Sequence, residues 1–365
     1  MSSRPRVLHV YKDVHPEVPG GIERHIDALR RSVTSYESAV LVARRGLSAT
    51  RVRQNDHGPE VAVWQLGRAL STPLTPAYFR WVRRLRPDLI HLHLPNPVSE
   101  LAAVTTGRRV PLVATYHADI VRQAALMPLY GPLVRRVLDQ AQTIVSGTEA
   151  LRRTSPLLDA HRERISVIPY SVDADRFVPP ANGRPARARP TLVATGRLVY
   201  YKGFDRLIAL APRLEVNLQI VGSGPLEEEL RALAAPFANV EIVGGVSDSE
   251  LIRRLQDADI FVLASTSRAE SFGIATIEAQ ATGLPAVVTD VGTGTVEAIK
   301  PGETGIVVPA GDDEALVAAI NGLASDAERR LAMGSAARRW AIERFSEPSL
   351  AAAHEAIYSA ALSQV

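Results

Sequence analysis

An α/β fold of two doubly wound, parallel-sheet domains facing a central cleft is predicted by three features of this 365-residue chain. Short apolar runs alternate with segments of helical spacing along the whole length, the pattern of parallel strands covered on both faces. A stretch without periodicity, residues 175–190, holds four prolines and interrupts that pattern. Beyond it the alternation starts again. The length is also more than one hydrophobic core usually serves.

Residues 7–11, 39–42, 89–93, 112–115, 144–146 and 167–169 read as strands of the first half, with helices at 22–32, 75–85 and 129–139. The predicted domains are 1–174 and 191–347, joined by the linker 175–190. In the second half, residues 191–195, 218–221, 240–243, 260–263, 286–289 and 306–308 read as strands. Helices are expected from Asp205 and across 273–282. Domains of this class bind ligands at the carboxyl ends of their strands, so the loops after those strands carry the candidate site residues.

Composition narrows the classes further. The chain is 46% hydrophobic and 22% charged, which excludes a disordered chain and a coiled coil. It holds no cysteine, which excludes disulfides, thiol nucleophiles and thiolate-bound zinc. No apolar run reaches the roughly 18 residues of a membrane span, and no signal-peptide pattern stands at the N-terminus, so a cytoplasmic location is expected. Residues 1–180 carry 25 Lys and Arg against 16 Asp and Glu, whereas 181–365 carry 17 against 23. The first half is basic and the second acidic. Among the basic residues only Lys12, Lys202 and Lys300 are lysines.

Gly20 and Gly21 end the loop after the first strand and open a helix, where backbone amides favour an anion. A nicotinamide-dinucleotide site is not indicated: no third glycine follows, and the second strand ends in Arg44-Arg45 where an acid is needed. In the second half, Arg197 and Lys202 flank the loop after the first strand, and two cations there suit a diphosphate. Gly222 and Gly224 form a turn after the next strand. Val246 and Ser247 follow the one after, where a nucleobase would rest. Glu270 and Glu278 stand eight residues apart around a helix start, either as acceptors for sugar and ribose hydroxyls or as a helix-start acid and a core-adjacent glutamate. His117 ends a strand of the first half and is expected to aim at the cleft. His91 and His93 share a strand face but lack a third ligand in the sequence, so they read as packing. Of the two Asp-x-Asp triplets, the one at Asp257 precedes its strand where a metal-binding triplet should follow one, and the one at Asp173 lies at the entry to the linker, so both read as structural. The helix with Arg80, Arg83, Arg84 and Arg86 is basic and amphipathic; it is either a packed helix with a solvated arginine face or a contact for an anionic membrane.

PGGIERH, TYHAD, GRLVYYKGFDRLI, VGSGP, ESFGIATIEA and TGIVVPAGD, in this order and spacing, resemble the retaining glycosyltransferases of family 4, with the GT-B fold. The likeness runs from Val7 to about Phe345. It implies two Rossmann-like domains, the first for the acceptor and the second for the nucleotide sugar, and a C-terminal helix, 348–365, packing back onto the first. It further implies that Arg197 and Lys202 hold the donor diphosphate, that Glu270 contacts the hexose, and that Glu278 holds the ribose. The amides of Phe272, Gly273 and Ile274 would approach the sugar, Gly21 the diphosphate, and His117 the sugar. No essential metal or other cofactor is implied. The runs LVYYKGFD, HLHLPNP, YHADIVRQ and GTGT resemble the mannosyl- and rhamnosyltransferase branch of bacterial polysaccharide synthesis, which implies a GDP-sugar in preference to a UDP-sugar. The implied acceptor is a glycan or a lipid-diphosphate-linked saccharide at the inner face of the plasma membrane. The sequence departs from common family usage at Ser171, often Gly, and Thr266, often Pro.

Three rival readings are a UDP-sugar transferase acting on a small-molecule acceptor, a nucleotide-sugar epimerase, and a basic nucleic-acid-binding protein. The arginines are scattered among apolar helices without a binding-module signature, which argues against the last, so nucleic acid is not expected as a partner.

Overall fold

The computed structural model describes residues 4–364 apart from 16, 19, 45, 70, 71, 108, 121–123 and 186. Pro19, Arg45 and Val121 to Gln123, each part of a motif above, lie outside the described residues. The chain forms two compact units, residues 1–170 with 347–365, and residues 171–346.

The first unit contains β1 (Arg6–Val10), α1 (Gly21–Ser32), β2 (Glu37–Arg44), β3 (Arg51–Asn55), β4 (Gly58–Trp64) and the short hairpin β5 (Arg68–Ala69) with β6 (Thr72–Pro73). There follow α2 (Ala77–Arg84), β7 (Leu89–Leu94), α3 (Pro97–Thr106), β8 (Leu112–Tyr116), α4 (Met127–Gln140), β9 (Thr143–Ser146), α5 (Glu149–Thr154) and β10 (Ile165–Val167). The sheet order is β10-β9-β8-β7-β1-β2-β4-β3, parallel throughout except for β3. β3 and β4 are additional to the strands expected from the apolar runs. β3 (RVRQN) is a mostly exposed edge strand with no apolar run to betray it.

Both faces of this sheet are covered, and alternate residues divide between them. Leu8, Leu41, Ile90 and Leu92 pack with Tyr78, Val82, Ala102 and Val137 from α2, α3 and α4. Val7, Leu89 and Val113 pack with Leu29 of α1 and with Leu350, Ile357 and Tyr358 of the C-terminal helix α12, Glu347–Leu362. On this second face the strands change character toward their carboxyl ends. Val7 is followed by His9 and Tyr11, Leu89 by His91 and His93, Val113 by Thr115 and His117. Parallel register sets His9 beside His91 and His93 beside Thr115, so several rings meet in one buried layer.

The second unit is all parallel, with β11 (Thr191–Thr195), β12 (Asn217–Val221), β13 (Val240–Gly244), β14 (Ile260–Leu263), β15 (Ala286–Asp290) and β16 (Gly305–Pro309) in the order β13-β12-β11-β14-β15-β16. Its helices are α6 (Phe204–Leu210), α7 (Glu227–Ala234), α8 (Asp248–Asp257), α9 (Ile274–Ala281), α10 (Asp313–Ser325) and α11 (Ala327–Arg344). Leu192, Ile220, Val262 and Val287 pack with Leu207, Leu230 and Ile320 of α6, α7 and α10. Residues 175–190, predicted as a linker, belong to this unit. Phe177 is buried, and Arg184 donates to the carbonyls of Ala258 and Thr282, which ties the proline-rich segment down. The Asp257 triplet is likewise engaged within this unit: Asp259 accepts from the Thr191 amide, and the half-exposed Asp257 pairs with Arg253.

Candidate functional site

The candidate site of the second unit is built at the carboxyl ends of β11, β12 and β14. Gly196 and Gly222 leave adjacent strands with φ near +140°, a backbone that side chains rarely adopt. A Cβ on Gly222 would stand 1.9 Å from the Gly196 carbonyl oxygen, and one on Gly224 would stand 2.4 Å from that of Leu198. The two turns therefore lie backbone against backbone, and the Leu198 amide donates to Ser223 O at 3.0 Å. Gly203, at φ +68°, starts α6 against the Ala264 carbonyl.

Within this frame Lys202 folds back over Gly196, and its Nζ lies 2.6 Å from Glu270 Oε2. Both side chains are about nine-tenths buried. Burial works against the lysine charge, but Glu270, Tyr201 and Glu278 outweigh it and raise the pKa. Lys202 is thus a fixed cation. Glu270 is held on three sides: Ser265 Oγ donates to Oε2 at 3.2 Å, Thr293 Oγ1 to its carbonyl at 2.7 Å, and Lys202 closes the third. The Thr266 amide donates to Tyr201 O at 2.8 Å, tying the lysine loop to the glutamate loop. Ser265, Tyr201 and Thr293 carry no motif of their own in the sequence; Ser265 reaches Glu270 across 5 residues, whereas the Thr293 and Tyr201 contacts span 23 and 65.

Gly273 caps α9 in a left-handed conformation, close against Leu263, with the half-buried Ile274 following. Phe272 is buried against Phe345, ring centroids 5.7 Å apart, so the backbone of this residue, and not its ring, is what a ligand would meet. Glu278, one turn into α9, is buried and contributes to the field at Lys202. Arg197 is exposed. Val246 is half-buried and Ser247 exposed, and the Ser247 hydroxyl caps α8 by accepting from the Glu250 amide.

The first unit departs from expectation at three places. Gly20 and Gly21 do start α1, but a Cβ on Gly20 would meet Glu23 Oε2 at 2.0 Å. The helix start holds its own carboxylate at its positive end, and an incoming anion competes with it. His117, expected to aim outward, is buried: Nδ1 lies 2.9 Å from Tyr170 OH and Nε2 lies 3.1 Å from His93 Nδ1. His91 and His93 also gain the third histidine that the sequence did not reveal. His9, His91 and His93 bring ring nitrogens within 4.8 Å of one another, the geometry of a set able to hold a metal ion. Against that use, both nitrogens of His91 are engaged, by Tyr358 OH at 2.7 Å and Thr115 Oγ1 at 2.6 Å.

α2 buries Tyr78 and Val82 and turns Arg80, Arg83 and Arg84 to solvent, where with Phe79 and Arg86 they line a shallow hollow. No helix among the described residues is long and apolar enough to cross a membrane.

Comparison with known proteins fits this arrangement. Residues 19–176 match the Glycosyltransferase Family 4 description, and residues 180–340 match Glycosyl transferases group 1. The D-rhamnosyltransferase WbpZ of Pseudomonas aeruginosa is 36% identical, covering 83% of this chain and 82% of its own. The O-antigen chain mannosyltransferase C of Escherichia coli is 31% identical, covering 98% and 99%. A GDP-mannose-dependent alpha-(1-6)-phosphatidylinositol monomannoside mannosyltransferase of Mycobacterium tuberculosis is 31% identical, covering 95% and 96%. Among solved structures, the sucrose-phosphate synthase of Thermosynechococcus elongatus superposes with a TM-score of 0.81 at 19% identity, covering 99% of this chain and 100% of that one. That last likeness is one of fold.

Proposed function

The chain belongs to the family 4 glycosyltransferases, and from that premise we propose that it moves a mannose-type hexose from a GDP-sugar to a glycan or lipid-linked saccharide. Transfer proceeds with retention of the anomeric configuration and without an essential metal. The relatives whose names specify mannosyl or rhamnosyl transfer, one of them GDP-mannose-dependent, support the donor. The observation that carries the reading is the buried Lys202–Glu270 pair at the end of β11. It supplies a fixed cation for a departing diphosphate and a carboxylate for sugar hydroxyls at one point.

In this reading Lys202 and Arg197 bind the diphosphate, Glu270 and the 272–274 backbone meet the hexose, and Glu278 accepts from the ribose hydroxyls. Gly222, Gly224, Val246 and Ser247 line the nucleoside. From the first unit, Gly20, Gly21 and His117 are assigned to the diphosphate and sugar by the family resemblance. The bond from the anomeric carbon to the diphosphate oxygen breaks as that carbon bonds to the acceptor oxygen on the same face. The acceptor proton passes to the departing diphosphate oxygen. The protein contributes charge stabilisation and orientation. The exposed arginines of α2 support a cytoplasmic enzyme meeting its acceptor at an anionic membrane surface.

The test is incubation with GDP-mannose and a lipid-linked saccharide in excess chelator, with the new linkage read by NMR. An α-linked product is expected. A β-linked product, or dependence on added divalent metal, would overturn the reading.

A further inference from the structure

Four buried side chains of the first unit stand in one hydrogen-bonded file. His9 Nδ1 lies 3.2 Å from His93 Nε2, His93 Nδ1 lies 3.1 Å from His117 Nε2, and His117 Nδ1 lies 2.9 Å from Tyr170 OH. The His9 and His93 rings stack at 21° and those of His93 and His117 at 16°. All four residues are at most 4% exposed.

A neutral imidazole has one N–H and one lone pair. Each nitrogen-to-nitrogen contact in the file needs one of each, so the three rings cannot choose independently. If His9 Nδ1 donates, His93 Nε2 accepts, His93 Nδ1 must donate to His117 Nε2, and His117 Nδ1 must donate to the tyrosine oxygen. The opposite order starts from the Tyr170 hydroxyl and ends with a proton on His9 Nε2. That atom is buried without a hydrogen-bond partner among the described residues. An orphaned N–H is rarer than an orphaned acceptor, which favours the first order. Burial supports neutrality, holding His9 and His117 down at about 3 and His93 well below its ordinary value. Facing the file are His25, His91, His354, Tyr11 and Lys12, with Arg30 acting on His9.

We propose that His93 is a positioning residue that sets the tautomer of His117, so that His9, His93 and His117 all carry their proton on Nδ1. This rests on the reading that His117 serves the donor sugar, and deepens it. With Nε2 held by His93 and Nδ1–H by Tyr170, His117 is withdrawn from proton transfer and acts as an oriented dipole. The acceptor proton then goes to the departing diphosphate, as above.

Selective 15N labelling of histidine, read by NMR, distinguishes protonated from unprotonated ring nitrogens. In the unmodified protein at neutral pH, Nδ1–H is expected on all three rings. His93→Leu releases His117 to a mixture of tautomers and lowers kcat about tenfold with KM little changed. His93→Asn places an amide N–H where Nδ1 stood and restores both the His117 tautomer and most of kcat. An Nε2–H signal for His117 in the unmodified protein would overturn the proposal, as would stoichiometric zinc on His9, His91 and His93. Predicted tautomers together with full kcat in His93→Leu would overturn the role of His117 in the reaction while leaving the file intact.

Discussion

Lys202 Nζ and Glu270 Oε2 meet at 2.6 Å, and this contact joins the loop after β11 to the loop after β14. Each side chain is the other's buried counter-charge. Lys202→Met leaves Glu270 unpaired and is expected to cost about 3–5 kcal/mol, the scale for breaking a buried pair. Adding Glu270→Gln removes the orphaned charge and recovers most of that loss. Turnover stays abolished in both variants. Urea titration with initial rates checks this; full turnover in Lys202→Met would contradict the assigned role.

Arg197 behaves differently because it is exposed. Arg197→Ala is expected to change stability by less than about 0.5 kcal/mol while removing most turnover. A melting curve and kcat/KM on the same preparation separate the two effects. An active variant would release Arg197 from the diphosphate.

Gly222 carries φ +146° and backs onto the Gly196 carbonyl. Gly222→Ala cannot fit without moving the lysine loop, since the obstacle is backbone. Stability should fall by more than about 1 kcal/mol, and donor KM should rise. Gly302→Ala, at φ +81° with nothing nearby to clash, controls for backbone strain alone.

Stability should also follow pH. The folded state holds His9 and His117 at about 3 and His354 at about 4, against 6.5, chiefly by burial, and lowers His25, His91 and His93 well below that value. Groups with depressed pKa stabilise above 6.5, and this is lost as pH falls through 6.5 toward 3. Glu100 acts oppositely: burial raises it from 4.5 to about 7, against hydrogen bonds from Tyr130 and the Asn96 amide, so its contribution is lost as pH rises through 7. Six histidines outweigh one carboxyl. The urea midpoint should therefore be lower at pH 5.5 than at pH 7.5, and Glu100→Gln should steepen the difference. Equal midpoints would contradict the assignment.

The strands and helices that carry the site were legible in sequence because each has its own period, and Lys202 and Glu270 because each sits just past a strand. The missed elements have physical reasons. β3 is polar and exposed, so it shows no apolar run. The histidine layer depends on register, which pairs His9 with His91, and on Tyr358 reaching His91 across 267 residues. His117 follows a strand as read, yet Tyr170 and His25 cover its ring. The glycine turns were visible as turns, whereas their contact with each other was not.

The most direct test of the central claim is a thermal-shift comparison of GDP and UDP on the unmodified protein and on Lys202→Met. Ligand at 100 times its dissociation constant stabilises by about 2.7 kcal/mol. The account predicts a shift with GDP that Lys202→Met loses. A shift with UDP and none with GDP would contradict it.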